Sequence, residues 1–357
     1  MHIDQRVAIG AIICSGGTMK LGIAEKAEKA REKAKAVKER ITGFTSEIEA
    51  GVRDQFEAER RYSGMDRIPD GRASRDLVPG CVCLEGGAFR GLYTQGLLDY
   101  WMLNGLNIAD AIGVSAGALS AVAYITGQIG RSARVNIGHR HDPKYIGMGA
   151  IRRARSPINL DYLLHDYDRI EPLDMERFND PARRLVAVAT DCDTGKPEYF
   201  ERGRCSDMFK ALKATASMPF LAPMVELDGH HYLDGGCSCN IPYQWALDQG
   251  YEKIVVVKTH DKTYRHEDPK EKNSARRVYR RHQEFANVLD HCNIRYQHEL
   301  EELDSLAESG RIFLIQPSQV VTVGRVEKDV EKLGELYWMG YYDAAASFGA
   351  LKAYLGA

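Results

Sequence analysis

Cysteine is scarce, net charge is nearly zero, and neither internal repeats nor low-complexity tracts occur. Each shortage excludes a class of protein. Eight cysteines in 357 residues are too few for a small disulfide scaffold. None forms a C-x-x-C motif; the two close pairs, Cys81/Cys83 and Cys237/Cys239, are C-x-C. Residues i and i+2 share a strand face, so a pair has the spacing to share a metal, but the plainer reading is of small buried hydrophobes in a reducing compartment. No metal is expected. A formal charge of −2 gives no bulk attraction to nucleic acid or acidic membranes, and no segment resembles a nucleic-acid module. The start, "MHIDQRVAIGAIICSGGTMK", has an apolar core only from Val7 to Cys14, with no basic run ahead of it. That is a poor signal peptide, so a cytoplasmic location is expected, with peripheral contact at the inner membrane face left open.

What is present is a globular composition, 44% hydrophobic and 27% charged. One stretch, Ala111 to Gly130, carries no charge and approaches the roughly 20 apolar residues of a membrane span. It opens as a strand, "ADAIGVS", and Gly113, Ser115, Gly117 and Ser120 interrupt the remainder. Those small turn-forming residues argue against a span.

Three regions follow one another. Residues 1–77 are expected to be an extension and linker, partly helical. Their apolar positions 23, 27, 30, 34, 37 and 41 make a shallow 4-3 helical seam, either a solvated helix or one that docks on a partner. Residues 78–265 alternate strands ("CVCLEGG", "ADAIGVS", "RRLVAVATD", "YEKIVVVKT") with helices such as "GLYTQGLLDYWMLNG". This pattern predicts an α/β domain with a parallel sheet covered on both faces. Residues 266–357 read as helical, with one further strand at 311–318, packed on that domain.

Three motifs carry chemistry. "EGGAFRG", Glu85 to Gly91, is a glycine-rich strand-to-helix turn whose amides can hold an anion. A dinucleotide site needs G-x-G-x-x-G and an acid at the end of the next strand; here Ala88 replaces a glycine and Asp110 begins that strand. An oxyanion hole asks only for N–H donors. "GVSAG", Gly113 to Gly117, has the G-x-S-x-G spacing that lifts a serine to a helix N-terminus. "HHYLDGGCSC" ends a short strand at Asp234, followed by Gly235 and Gly236, a turn able to hold a carboxylate.

Together these motifs resemble the patatin-like phospholipase family, as does "KATASMPFLAPMVELDGHHYLDGG" leading to Asp234, with Ser217, Pro219 and Pro223 in expected places. "RIFLIQPS" and "VEKDVEKLGELYWMGYYDA" are similar to a bacterial subgroup with a helical C-terminal extension. The resemblance covers residues 78 to 350. It implies a three-layer α/β/α fold with a mainly parallel central sheet and no cofactor. It implies Ser115 as nucleophile, Asp234 as proton acceptor, and Gly86, Gly87 and Ala88 as the oxyanion loop. Arg90, Gly91, Gly113, Gly117, Gly235 and Gly236 support those motifs. Glu85 and Ala88 depart from the family's Asp and Gly. The implied activity is hydrolysis of phospholipid or lysophospholipid esters through a Ser–Asp dyad, and the carboxylate is expected in a partly desolvated site that raises its basicity. Two alternatives stand beside it: a binding or regulatory protein with little turnover, and a carboxylesterase with a Ser–His–Asp triad. For the triad, His230 and His231 adjoin Asp234, while His260 to His298 follow it in the chain. A basic segment, Arg131, Arg134, Arg140, Lys144, Arg152, Arg153 and Arg155, is expected to be either a solvated loop or a patch for acidic lipid head groups. The sequence leaves the oligomeric state open.

Overall fold

The computed structural model describes residues 61–264 and 274–357, so the seam at 23–41 lies outside the described residues. The strands, in chain order, are β1 (Gly71–Arg72), β2 (Val78–Leu84), β3 (Ile108–Val114), β4 (Gln128–Ile129), β5 (Leu185–Asp191), β6 (Pro197–Glu201), β7 (Val225–Leu227), β8 (His230–Asp234), β9 (Ile254–Val257) and β10 (Phe313–Ile315). β1 and β4 pair as a separate ribbon, and the other eight form one sheet in the order β10-β9-β2-β3-β5-β8-β7, with β6 also on β5. The helices that frame the sheet are α1 (Gly91–Leu103), α2 (Ala116–Ile125), α3 (Met148–Ala154), α4 (Met208–Thr215), α5 (Tyr243–Asp248), α6 (Gln283–Glu308) and α7 (Val330–Leu355).

Alternation along each strand divides the core in two. Val82, Leu84, Ala111, Leu185, Ala187, Val255 and Val257 face one side, packed with apolar residues of α1, α2, α4 and α7. Cys81, Cys83, Ile112, Val114, Val186, Val188, Ile254 and Val256 face the other, with Tyr243 of α5 and Tyr296, Leu300 and Leu303 of α6. Both faces are covered, which is why "CVCL" and "IVVV" are apolar at every position. This is the three-layer α/β/α fold.

The sheet is parallel from β10 through β5, but β6, β7 and β8 join antiparallel. A wholly parallel sheet is therefore corrected to a mixed one. The antiparallel end begins with a two-residue hairpin turn at Asp228 and Gly229, with φ of 52° and 82°. Positive φ at both turn residues is what an Asp-Gly hairpin provides.

The antiparallel end also brings the site together. β5 pairs with β3 through Val188, opposite Val114, and with β8 from Ala189 onward, opposite Asp234. β6 pairs with these same β5 residues and so occupies the other edge. β3 and β8 therefore share one edge of β5 and meet there with their C-terminal ends facing.

The charge-free stretch divides into strand β3, the Ser115 turn and the ten-residue helix α2. No helix among the described residues is long and apolar enough to cross a membrane. Across the same face, α1 and α7 approach closely at two glycines: a Cβ at Gly96 would lie 1.9 Å from the Tyr337 carbonyl oxygen, and one at Gly340 lies 1.9 Å from that of Tyr93.

Candidate active site

Ser115 follows β3 with φ 53° and ψ −124°, a sparsely populated conformation for a side-chain-bearing residue. Its neighbours make the turn sterically possible. A Cβ at Gly113 would come within 2.4 Å of the Ala118 nitrogen, and one at Gly117 within 2.4 Å of the Leu84 carbonyl oxygen. The Ser115 N–H donates to Thr215 Oγ1 at 2.9 Å, and Thr215 in turn donates to the Val188 carbonyl. Thr215 thus bridges the gap where the β3–β5 ladder stops. Sequence reading missed it, since nothing local marks the last residue of α4.

Asp234 arrives from the opposite direction. Its Oδ2 accepts the Ser115 hydroxyl at 2.7 Å, and its Oδ1 accepts the Gly236 N–H at 2.9 Å. The Ser217 carbonyl takes the Asp234 N–H at 2.8 Å, and Thr190 Oγ1 donates to the Asp234 carbonyl at 2.8 Å. A Cβ at Gly235 would strike the Val188 carbonyl oxygen at 2.1 Å. Burial pushes the Asp234 carboxyl up to about 6, against the opposing pull of the Ser115 hydroxyl, the Gly236 N–H and the Arg325 guanidinium. Arg325 lies exposed in the loop before α7 and escaped sequence reading, because no motif surrounds it.

The glycine-rich loop runs beside the serine. A Cβ at Gly86 would sit 3.1 Å from the Ser115 Cβ, and one at Gly91 would sit 3.0 Å from that of Ala116. Gly87 has φ 154° and Ala88 φ 50°. The Ala88 value is in the left-handed region, which for a residue with a Cβ costs about 1–2 kcal/mol. The methyl group therefore strains the loop, while its N–H is retained. Glu85 turns away from the serine: it accepts from Thr259 Oγ1 at 3.1 Å, from the Thr259 N–H and from the Tyr296 hydroxyl. It ties the loop to β9 and α6, which accounts for the tolerance of Glu in place of Asp. Arg90 is pushed below its usual range by burial and by the nearby Arg325 charge, and its Nε is buried with no hydrogen-bond partner.

Beside Ser115 opens a cavity of about 880 Å³, lined near the serine by Ala88, Phe89, Ala116, Leu119, Leu164, Phe209 and Met218. An apolar cavity with few polar groups is the general form of a small-molecule site. A carboxylate hydrogen-bonded to a hydroxyl on a strained turn, at such a cavity, has the geometry to remove the hydroxyl proton.

The histidines are engaged elsewhere. His230 Nδ1 lies 3.2 Å from Asp191 Oδ2, the His231 ring faces that of His282, His260 stacks on Tyr264, and His298 is exposed beside Glu301. Asp191, Asp193 and His230 hold their ligand atoms within 4.8 Å of one another. Asp191 Oδ1 is already used by the N–H groups of Asp193 and Thr194. Cys81, Cys83, Cys237 and Cys239 are buried, Cys81 and Cys83 packing together on one face of β2.

The basic segment does not form one patch. Arg131 is buried against Asp168 at 2.8 Å, Arg134 pairs with Glu171 at 2.6 Å, and Arg140 is buried over the Phe89 ring. Lys144, Arg152, Arg153 and Arg155 remain exposed.

The fold and site thus define a three-layer α/β domain that presents a serine and an aspartate where two strand ends meet. Residues 82–247 match the family model described as patatin-like phospholipase, a family of lipid acyl hydrolases, and this domain of the chain belongs to that family. Residues 282–356 match a family described as a domain of unknown function (DUF6363). The uncharacterized protein YjjU of Escherichia coli strain K12 is 32% identical over 192 residues, 52% of this chain and 54% of that protein. The match thus spans about half the length of this curated relative. The crystal structure of VipD from Legionella pneumophila aligns with a TM-score of 0.40 at 14% identity, over 82% of this chain and 71% of that one.

Proposed function

We propose that the protein is a serine lipid acyl hydrolase that cleaves carboxylic ester bonds of phospholipids or lysophospholipids. The observation that carries this reading is the 2.7 Å hydrogen bond from Ser115 to Asp234 at the apolar cavity. Asp234 takes the Ser115 proton as Oγ attacks the ester carbonyl, and the loop amides of Gly86, Gly87 and Ala88 receive the charge on the tetrahedral oxygen. Collapse expels the alcohol, which recovers the proton from Asp234. Water, deprotonated by Asp234, then attacks the acyl-enzyme; the acid leaves and Ser115 regains its proton. A pKa near 6 makes Asp234 a stronger base than an ordinary aspartate of about 3.9.

The other parts of the chain fit this reading. Residues 78–265 form its catalytic domain, 266–357 a region packed on it, and 1–77 an extension. Arg90 and Arg325, cations near one another and near the acid, suit an anionic head group. Lys144, Arg152, Arg153 and Arg155 flank a segment whose Tyr145 and Ile158 line the cavity, and they are placed to meet anionic lipid at a membrane surface. The seven described cysteines are free thiols, in keeping with a cytoplasmic site of action. A binding or regulatory role with little turnover has one observation in its favour, the left-handed Ala88 in the loop.

The test is fatty-acid release from phosphatidylcholine and lysophosphatidylcholine, in neutral and in anionic vesicles. Release by the wild type and none by Ser115→Ala is expected, faster on the anionic surface. A wild type that releases nothing from either lipid leaves the binding role.

A further inference from the structure

The cavity beside Ser115 changes character along its length. Ala116, Leu119 and Val122, spaced along one side of α2, give it an apolar wall, but it also reaches Gln95, Arg131, Ser132 and Asp168. Gln95 lies four residues beyond Gly91 on α1, about 6 Å of helix rise, and Gly91 is the residue packed on Ala116 beside the serine. Farther along, Asp99 of α1 accepts the Gly130 N–H at 2.9 Å, which sets Arg131 at that deeper level. The polar groups therefore line the inner end of the cavity.

Most of these groups are already satisfied. Arg131 donates to Asp168 Oδ1 at 2.8 Å and to the Glu171 carbonyl at 3.0 Å. Gln95 is different: it is only 7% exposed, and its Oε1 is buried with no hydrogen-bond partner. A buried acceptor without a donor is costly to fold around, and this one opens onto the cavity. It calls for an O–H or N–H from a ligand. A carboxylate at the chain end has no proton to give, and the Arg131–Asp168 pair already cancels its own charge, so a further anion would be buried uncompensated. A neutral hydroxyl meets both conditions.

We infer that the cavity takes an acyl chain bearing a hydroxyl group well away from its carbonyl, and that Gln95 Oε1 accepts the hydrogen bond of that hydroxyl. Gln95 is then a specificity-determining residue. The inference rests on the hydrolase reading for the identity of the cavity as the acyl site. A site built to hydrogen-bond a hydroxyl discriminates against the analogue lacking it.

Calorimetric titration of the Ser115→Ala protein with octanamide, ω-hydroxyoctanamide and β-hydroxyoctanamide tests the inference without turnover. The ω-hydroxy chain is expected to bind about five- to tenfold more tightly than the plain chain, the range of one neutral hydrogen bond. The β-hydroxy chain, with its hydroxyl near position 115, gains nothing. Adding Gln95→Met, or Gln95→Leu should the first fail to fold, reverses the order of the plain and ω-hydroxy chains. Equal affinities for the three, a gain by the β-hydroxy chain alone, or an order unchanged by both Gln95 substitutions overturns the inference. Gln95 would then serve a buried water only. Wild-type hydrolysis of the matching 4-nitrophenyl esters is read in parallel. Binding preference without any hydrolysis counts against the hydrolase reading and supports this inference; hydrolysis without preference does the opposite.

Discussion

The turn after β3 and the turn after β8 bring Ser115 and Asp234 within 2.7 Å of each other by opposite means. The serine turn is locally strained, with φ 53° and ψ −124°, and both of its flanking glycines press on backbone atoms. Asp234 has a relaxed φ of −47° and ψ of 130°; a Cβ at Gly236 would meet only the Asp234 side chain, at 3.2 Å. What sets the aspartate apart is its surroundings: burial raises its pKa. Local sequence determines where the serine points, whereas the whole fold determines what the carboxylate can do.

Substitutions can break either half of this contrast. The largest effect is expected from Asp234→Asn, which keeps the turn and removes the base: kcat/KM for an ester substrate falls about 10²–10⁴-fold, with thermal unfolding little changed. Next comes Gly113→Ala. Its methyl carbon would lie 2.4 Å from the Ala118 nitrogen, and since backbone cannot give way there, denaturant titration is expected to show a loss of about 3 kcal/mol. Thr215→Val attacks the bridge between the two turns. It leaves the Ser115 N–H and the Val188 carbonyl without their partner, at about 1–3 kcal/mol, and a crystal structure of the variant should show the serine displaced.

The smallest effect sharpens the account of the aspartate. Arg325 favours the charged form of Asp234, so Arg325→Gln should raise the Asp234 pKa further. Activity requires the deprotonated acid; the acid limb of the pH–rate profile should therefore move to higher pH, by a fraction of a unit for an exposed charge. A limb that stays in place would remove Arg325 from the site.

Legibility in the sequence follows the same contrast. "GVSAG" announces the serine turn because every steric demand falls on neighbours in the chain. "EGGAFRG" announces the loop for the same reason, and the left-handed Ala88 sits where a glycine would be unstrained. "LDGG" alone reads as any turn, and only the family resemblance singled out Asp234. Thr215 and Arg325 act across 100 and 91 residues of chain respectively, measured to Ser115 and Asp234, with no local pattern to mark them. The basic segment misled because charge spacing does not show that Asp168 and Glu171 lie against Arg131 and Arg134. The antiparallel end of the sheet was written in "LDGH", a hairpin signal of the Asp-Gly kind, but it lay hidden inside a stretch read for its approach to the acid.

The most direct measurement is the rate at which an alkyl fluorophosphonate labels the protein as a function of pH, with the modified residue located by mass spectrometry. The account predicts modification of Ser115 alone, at a rate that falls as pH drops through about 6, and none on the Asp234→Asn protein. Labelling of Asp234→Asn at the wild-type rate, or a wild-type rate independent of pH across that range, would contradict it.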